Sequence, residues 1–509
     1  MSVSAALPFD AVVGVIGAGT MGAGIAHVAA RAGHPVWLFD THELALQRAR
    51  STIEKDLSFL VSKGRLERLD AESILGRVHV TRELSDLRGA GLVVEAIFED
   101  RDAKRALFSA LETQVATDCV LASNTSSISI TDLAVGLQHP GRLVGMHFFN
   151  PVPRMALVEV IDGLDTAPEV ADAVAATAKS WGKTPVRCRS TPGFIVNRVA
   201  RPFYGEAMRT LTEGATDPAG LDAIVRECGG FPMGPCELMD LIGLDVNLAV
   251  TGSTFQALGW DRRYAPSLIQ QELVRSGRHG RKTGQGFHCH LPGAETPVAA
   301  QEPAAPAPRS IVAPADAGLL EPLIERMTSA GLNVRRVMHM EPMLHIGAAR
   351  VAITDGRTAT HRGAVGGTPN VVLLDLAHDF ARTPRLCVAR ADQCGELEYR
   401  EVVGALQGAG CAVTRVDDIA GLVVMRTVAM LANEAADVLT QGIASAADID
   451  TAMRLGTNYP LGPLAWADRL SPGFVAQVLD NLRNHYGEER YRVSPGLQRR
   501  RWSGGLFHE

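Results

Sequence analysis

Val12-Val13-Gly14-Val15-Ile16-Gly17-Ala18-Gly19-Thr20-Met21-Gly22 is the stretch that decides the fold. Residues 12–16 read as a short buried strand, and Met21 to Ala32 carries a helical pattern that Gly33-His34 breaks. Between them the glycines stand in the spacing G-x-G-x-x-G. Alone, such a triplet also fits a plain glycine turn. After a strand and before a helix it reads as a dinucleotide cradle. The first glycine permits the turn, the second lets backbone approach a pyrophosphate, and the third packs helix on strand. The helix N-terminus then offers its N–H groups to the anion. Gly17, Gly19, Thr20, Met21 and Gly22 are the expected cofactor contacts. Asp40 closes the next strand, Pro35 to Phe39, and Thr41 follows with no adjacent arginine. An acid there bonds the ribose hydroxyls and repels a 2′-phosphate, so the cofactor expected is NAD rather than NADP.

Further strands are expected at Leu92–Ala96 and Val120–Ala122, with helices between. Alternating strands and helices imply an α/β, doubly wound sheet of Rossmann type over residues 1–190. The pattern changes at Thr191-Pro192-Gly193. Phe194 to Thr212 has helical periodicity, Asp217-Pro218 opens another helix, and residues 191–290 read as an all-α domain. Residues 291–310, rich in Pro, Ala and Glu, read as a linker. Residues 311–418 are mixed, with strands expected at Arg350–Thr354, Val371–Leu374, Leu386–Ala389 and Ala412–Val416. Residues 419–509 are helical again.

That last segment repeats the first helical one. Gly193 pairs with Gly421 at an offset of 228. The same offset carries Arg198 onto Arg426, Glu206 onto Glu434, Asp222 onto Asp450, Pro232 onto Pro460, Gly234-Pro235 onto Gly462-Pro463 and Asp240 onto Asp468. Of the 48 positions 193–240, 15 are identical without a gap, where chance at ordinary residue frequencies gives roughly three. Convergent helical patterning would not keep Pro, Gly and Asp in step. Met425 stands where the first copy has Asn197, and no glycine fingerprint precedes the second copy. Residues 311–418 are therefore expected to be a degenerate, Rossmann-like α/β domain and the second copy to be non-catalytic. The two copies are expected to pair within the chain about a pseudo-two-fold axis. A homo-oligomer stays open.

A chain of 509 residues is too long for one ordinary core. Its net charge of −6 speaks against nucleic acid as a partner. Met1 to Asp10 has no basic start followed by an apolar run, and no apolar stretch approaches about 18 residues, so neither a signal peptide nor a membrane span is expected. The 8 cysteines are scattered without a C-x-x-C, which reads as reduced thiols in a cytoplasm. His288-Cys289-His290 lacks a second ligand pair, and neighbours on an extended segment point to opposite faces, so no metal is expected.

Three further clusters can carry chemistry. Ser123-Asn124-Thr125-Ser126-Ser127 follows an apolar strand. It reads as a turn or helix cap, or as the polar rim of a ligand crevice at the carboxyl ends of the strands. Met146-His147-Phe148-Phe149-Asn150-Pro151-Val152-Pro153 leads into Leu157-Val158-Glu159-Val160. Strand, Pro-rich turn and strand can bring Glu159 beside His147. A carboxylate in an apolar strand is costly unless paired. On one ring nitrogen it orients the imidazole and stabilises its charged form, leaving the other nitrogen as a base. The alternative is a satisfied core histidine. Asn197 lies in the first turns of the helix after Gly193, either as a cap or buried amide, or as a hydrogen-bond donor to a substrate oxygen.

In this order the strings GVIGAGTMGAGIA from 14, VVEAIFED from 93, ASNTSSISI from 122, GMHFFNPVPRMALVEVI from 145, TPGFIVNR from 191, GFPMGPCELMD from 230 and GRKTGQGF from 280 resemble the 3-hydroxyacyl-CoA dehydrogenase family. HFFNPVP and TPGFIVNR are the most specific. The resemblance implies NAD-dependent oxidation of a (3S)-3-hydroxyacyl-CoA to the 3-oxoacyl-CoA. It makes His147 the base, Glu159 its partner, and Ser126 and Asn197 the groups that hold the reacting oxygen. It places Asp40, Glu99, Lys104, Asn124, Asn150 and Lys282 around the NAD, and Lys63 near the CoA 3′-phosphate. The repeated helical domain further resembles long bacterial enzymes of phenylacetate degradation, which implies 3-hydroxyadipyl-CoA as substrate, with 3-hydroxybutyryl-CoA as the alternative. Gly286-Phe287-His288 departs from the family's aromatic-rich ending of this domain. Two other readings compete. One is a catalytically silent NAD-binding protein, which would be free to lose Ser126, His147, Glu159 and Asn197. The other is a dehydrogenase of a free hydroxyacid, for which Arg154 is the candidate carboxylate partner.

Overall fold

The computed structural model describes residues 5–295, 297–338 and 340–509. The chain forms two compact units. The first takes the chain up to Arg198 together with Gln441–Thr457, and the second takes Val199–Thr440 with Asn458–Glu509.

The first unit is built on eight strands: β1 (Val12–Ile16), β2 (Val36–Phe39), β3 (Val78–Thr81), β4 (Ala90–Glu95), β5 (Val120–Ser123), β6 (Leu143–Phe148), β7 (Leu157–Asp162) and β8 (Thr184–Arg189). Their order is β3-β2-β1-β4-β5-β6-β7-β8. The sheet is parallel as far as β6, β7 returns antiparallel to β6, and β8 runs parallel to β7. The strand order reverses between β1 and β4, which opens a crevice at their carboxyl ends. β1 is apolar because both its faces are covered; Val13 and Val15 are fully buried, and so are Ile25, Ala26 and Ala29 of the helix Thr20–Ala32. The reversal after β6 follows from Asn150-Pro151-Val152-Pro153, where two prolines lack the N–H groups a further ladder would need. Lys183, buried, donates to the carbonyls of Val152 (2.5 Å) and Met155 (2.8 Å) and fastens this turn to the start of β8.

A segment from the second helical copy completes this unit. The helix Ala446–Gly456 packs on β7 and β8, and Arg189 N donates to Ile443 O at 2.9 Å. A Cβ on Gly456 would lie 2.8 Å from Leu157 Cδ2 and 3.0 Å from Val196 Cγ2, so only glycine lets the helix sit so close.

The second unit holds a seven-stranded mixed sheet, ordered β10-β9-β11-β12-β13-β14-β15. Its strands are β9 (Ile311–Pro314), β10 (Val334–Val337), β11 (Leu344–Ile346), β12 (Ala349–Ile353), β13 (Val371–Leu374), β14 (Arg385–Arg390) and β15 (Ala412–Arg415). β12 to β15 fall where the sequence pattern puts strands; β9 to β11 are additional. Beside the sheet, the helices Arg201–Thr212 and Val424–Thr440, equivalent under the 228 offset, pack on each other.

Their contacts are reciprocal. Tyr491 of the second copy donates its hydroxyl to Glu206 of the first at 2.9 Å, and Tyr264 of the first donates to Glu434 of the second at 2.5 Å. Arg490 stands 3.7 Å from Glu206, and Arg263 stands 3.1 Å from Glu434. An Arg-Tyr pair on each copy thus clamps the equivalent glutamate on the other, the signature of an isologous interface. Inside each copy an aspartate closes the final turn. Asp240 accepts from the amides of Phe287 and His288, and Asp468 from those of Phe507 and His508. His288 sits 2.6 Å from Asp222, and His290 sits 2.8 Å from Asp240. Among the described residues no group of side chains has the arrangement of a metal site.

Candidate active site

The glycine loop has the shape its spacing implies. Gly17 has φ +100°, and a Cβ there would meet Ala96 O at 2.5 Å. A Cβ on Gly22 would meet Gly17 O at 1.7 Å, whereas one on Gly19 would meet nothing within 4 Å. The first and third glycines are therefore forced by backbone packing, and the second faces open space where a diphosphate can approach. A cavity of about 1010 Å³ begins there and is lined by Thr20, Asp40, Arg48, Arg82 and Phe98 among others. Asp40 Oδ2 accepts from Ala18 N at 2.8 Å and Oδ1 from His42 N at 2.9 Å. Burial pushes the Asp40 carboxyl up, but these amides and the His42 ring outweigh it and hold it below the usual carboxylate range. The cavity, its open glycine and its ionised acid fit the adenosine and diphosphate parts of NAD. Arg48 and Arg82 are additional lining residues. Neither belongs to a motif; they meet Asp40 only through the path of the helix Glu43–Ser62 and the end of β3.

The polar rim after β5 is braced from behind. Glu95, fully buried, accepts from Ser123 Oγ and from Lys104 Nζ, each at 2.6 Å. Lys104 also reaches Glu99 at 3.3 Å. One oxygen of Glu99 accepts from Thr125 Oγ1 (2.6 Å), Ser126 N (3.1 Å) and Ser127 Oγ (2.9 Å). Burial pushes the Glu99 carboxyl up, but the Thr125 hydroxyl and the Lys104 ammonium prevail and hold it down. Asn124 Oδ1 accepts from Phe148 N at 2.9 Å, which pins the rim to the end of β6. Lys104 is only 1 % exposed, so in this structure it fixes Glu99 and the rim rather than facing the crevice.

His147 and Glu159 are register partners on β6 and β7. The ring Nδ1 donates to Glu159 Oε2 at 2.7 Å, with both side chains buried. The other oxygen of Glu159 accepts from Ile195 N and Val196 N, each at 3.0 Å. One carboxylate thus holds the imidazole and the segment that carries Asn197. The Phe149 and Phe194 rings lie 4.6 and 6.0 Å from His147 and wall it in. Asn197 is half-buried, and its chain neighbours are held by the second helical copy: Arg198 donates to Gln441 Oε1 at 2.9 Å, and Val196 packs on Gly456.

The other expected residues are more dispersed. Asn150 is exposed where the Pro-rich turn begins. Lys63 is exposed, with its ammonium 5.6 Å from the centre of the Phe59 ring. Phe59 belongs to a cleft of about 750 Å³ lined also by His27, Arg31, Arg65 and Arg154, so Arg154 stands in a basic groove with two other arginines. Lys282 belongs to the second unit, where it pairs with Asp245 at 2.6 Å.

The degenerate half keeps this scaffold and lacks its chemistry. The 228 offset sets Asp375 at the position of His147, Cys387 at that of Glu159 and Met425 at that of Asn197. The antiparallel pairing of β13 and β14 carries on to Asp375 N, which donates to Cys387 O at 2.9 Å. Asp375 accepts from the amides of Val423, Val424 and Met425 at 2.9, 2.7 and 2.9 Å, where Glu159 holds Ile195 and Val196 in the first half. The anchoring of a helix start survives, without imidazole or amide.

Comparison with known proteins agrees along the whole chain. Residues 12–191 match the NAD-binding domain of 3-hydroxyacyl-CoA dehydrogenase, and residues 193–289 and 421–504 match its C-terminal domain. Residues 351–419 match the reduced Rossmann-fold domain of 3-hydroxybutyryl-CoA dehydrogenase. The chain is 43% identical over 489 residues to the 3-hydroxyadipyl-CoA dehydrogenase of Escherichia coli K12, covering 96% of this chain and 97% of that one. It is 46% identical over 276 residues to a probable 3-hydroxybutyryl-CoA dehydrogenase of Deinococcus radiodurans, covering 54% of this chain and 98% of that one. Among solved structures, a 3-hydroxybutyryl-CoA dehydrogenase from Escherichia coli K12 superposes with a TM-score of 0.89 at 42% identity, over 98% of this chain and 100% of that one. The chain belongs to the 3-hydroxyacyl-CoA dehydrogenase family, as a long member with a reduced second Rossmann domain and a repeated C-terminal domain, and is an NAD-dependent oxidoreductase of 3-hydroxyacyl-CoA thioesters.

Proposed function

We propose that His147 is the base of this reaction and that the substrate is (3S)-3-hydroxyadipyl-CoA. The observation that supports the site best is the double grip of Glu159, which takes His147 Nδ1 with one oxygen and the Ile195 and Val196 amides with the other. Base and oxygen-binding segment then share one anchor. His147 Nε2 takes the proton of the 3-hydroxyl, and Glu159 stabilises the imidazolium that results. Ser126 and Asn197 donate to the reacting oxygen and hold it against the base. Gly17 to Gly22 and Asp40 would hold NAD, which would supply the acceptor for the C3 hydride. Glu99, Lys104 and Asn124 keep the rim in place, and Asn150 completes the cofactor contacts of this unit. The basic groove of Arg31, Arg65 and Arg154, with Lys63 at its edge, suits the phosphates of CoA.

The adipyl assignment rests on the relative that matches over almost the whole chain and carries that name. It implies a role in phenylacetate catabolism. The name of the superposing structure favours the butyryl thioester instead. No helix among the described residues is long and apolar enough to cross a membrane, and 7 of the 8 cysteines are buried as free thiols, which supports a cytoplasmic enzyme. Steady-state NADH formation with 3-hydroxybutyryl-, 3-hydroxyhexanoyl- and 3-hydroxyadipyl-CoA decides among the substrates. His147→Gln should lower turnover with each of them by roughly two to four orders of magnitude while NAD binding persists; unchanged turnover removes His147 from the chemistry.

A further inference from the structure

The second unit carries a cleft with no assigned role. It lies between the helices Pro472–Tyr486 and Pro495–Ser503, which pack on each other. It measures about 370 Å³, within the range of small-molecule sites. Its lining includes Asp480, Arg483, Arg492, Gln498, Arg499 and Trp502. Three arginines thus surround an indole that is 74% exposed.

The charges of the wall do not balance. Asp480 is its one carboxylate among the described residues, and Arg501 from outside the cleft pairs with it. Arg492 pairs with Asp437 at 3.2 Å. Among the described residues no ion pair engages Arg483 or Arg499, so the cleft keeps a positive excess. Guanidinium forks in such a place suit phosphate oxygens, and an open indole suits a flat ring. Gln498 adds a third demand: its Oε1 is buried without a hydrogen-bond partner, and an acceptor in that state gains from an N–H donor.

The internal repeat shows that the scaffold does not require these residues. The 228 offset holds as far as Gly259 and Gly487, and from Arg263-Tyr264 and Arg490-Tyr491 onward it is 227. The first copy then has Gly252 for Asp480, Phe255 for Arg483, Ala265 for Arg492, Glu272 for Arg499 and Arg275 for Trp502, and keeps a glutamine, Gln271, for Gln498. Glu272 and Arg275 pair with each other at 2.6 Å. One backbone plan thus carries a neutralised surface in the first copy and an unneutralised basic cleft with a bare indole in the second. None of the three arginines has a basic counterpart.

We propose that this cleft binds the adenosine diphosphate unit of a nucleotide. The arginines take the diphosphate, Trp502 stacks on the purine, and the Gln498 amide meets the adenine amino group. The unit can come from free ADP or from the head of CoA. The test titrates the full-length protein with ADP by calorimetry, in saturating NADH so that the glycine-loop cavity is filled. Wild type should bind ADP in the micromolar range and show quenched tryptophan fluorescence. Arg499→Glu should weaken binding at least about tenfold, and Trp502→Ala by roughly 5- to 100-fold. Trp502→Phe keeps a ring to stack on, so it should bind within about threefold of wild type and lose the quench. These side chains are exposed, and a melting curve with and without ADP reads fold and binding together: ADP should raise the melting temperature of wild type and not of Arg499→Glu. A wild type that binds no ADP in NADH, or variants that bind as tightly as wild type, overturn the site. GDP or inorganic pyrophosphate binding as tightly as ADP makes the cleft a general anion patch and refutes the adenine reading. CoA that displaces ADP, with the same dependence on Arg499, supports the site with CoA as the source. CoA that leaves bound ADP in place supports it with the free nucleotide as the source.

Discussion

Replacing Glu159 by Gln tests the proposed division of labour at the site most directly. In the native protein Oε1 accepts two amides at 3.0 Å, and Oε2 accepts the His147 Nδ1–H at 2.7 Å. Glutamine keeps an oxygen for Ile195 and Val196, so the strand and the start of the helix should stay in place. What is lost is the negative charge behind the ring. A charge-assisted hydrogen bond in a buried site contributes about 1.5–3 kcal/mol, and each 1.36 kcal/mol is tenfold in rate, so turnover should fall by at least about 10- to 150-fold. If the amide nitrogen turns toward the ring, Nδ1 must accept, the proton moves to Nε2, and the base is blocked. The loss then approaches about 10⁴-fold. The KM for NAD should stay unchanged, because the glycine loop and Asp40 are untouched. NADH absorbance measures turnover and KM, and a melting curve monitors the fold. Glu159→Ala, by contrast, strips two buried amides of their acceptor at about 1–3 kcal/mol each and should melt well below the glutamine variant. Turnover of the glutamine variant within threefold of wild type would refute the reasoning.

Three further outcomes can be checked. Asp40→Ser should weaken NAD and improve NADP relative to it, since Arg48 and Arg82 already line the same cavity; a wild type that uses both cofactors equally would contradict the role of Asp40. Burial raises the Asp375 carboxyl to about 6 from an ordinary 3.8, against the amides that bond it. The native state therefore holds a proton that the unfolded chain has released, and the associated stability, present below pH 4, is lost as pH rises to about 6. At 1.36 kcal/mol per unit this amounts to about 3 kcal/mol. Urea unfolding should show that loss in wild type and a flatter profile in Asp375→Asn. Gly456→Ala should lower the melting temperature and turnover together, because its Cβ would press on Leu157 and Val196 beside the Glu159 anchor; an unaffected variant would mean that the helix Ala446–Gly456 can shift without cost.

Much of the site was legible because it is written in local backbone demands. Gly17 and Gly22 cannot carry a side chain where they stand, and such constraints leave a fixed spacing in the sequence. The His147–Glu159 pairing was legible because a charged residue inside an apolar strand needs a partner, and the Pro-rich turn fixes which residue faces it. β10 and β11 were not. β10 has two exposed arginines at its centre, and β11 has three residues, too few for any alternation to show. The Glu95–Lys104 pair and the lining by Arg48 and Arg82 depend on tertiary placement, and no nearby residue announces it. The same holds for Gln441–Thr457, whose sequence repeats one domain while its side chains serve another.

That last placement bears on how the protein is made. The sheet that carries Glu159 is finished by a helix that the ribosome delivers only after residues 199–440 have been synthesised. At about 5–20 residues per second this is a wait of roughly 10 to 50 seconds, far longer than helices or hairpins take to form. During that interval the β7–β8 face and the segment before Arg198 lack their cover, and Arg198 has no Gln441 to bond. The nascent first unit is thus an unfinished folding intermediate with an open apolar face. A ribosome stalled between residues 200 and 440 should present a first unit that a protease cuts near β7 and β8, and protection should arrive abruptly once Gly456 has left the exit tunnel. Completion of the catalytic unit is in this sense a checkpoint on full-length synthesis: prematurely terminated chains would lack not only their second half but a finished first one.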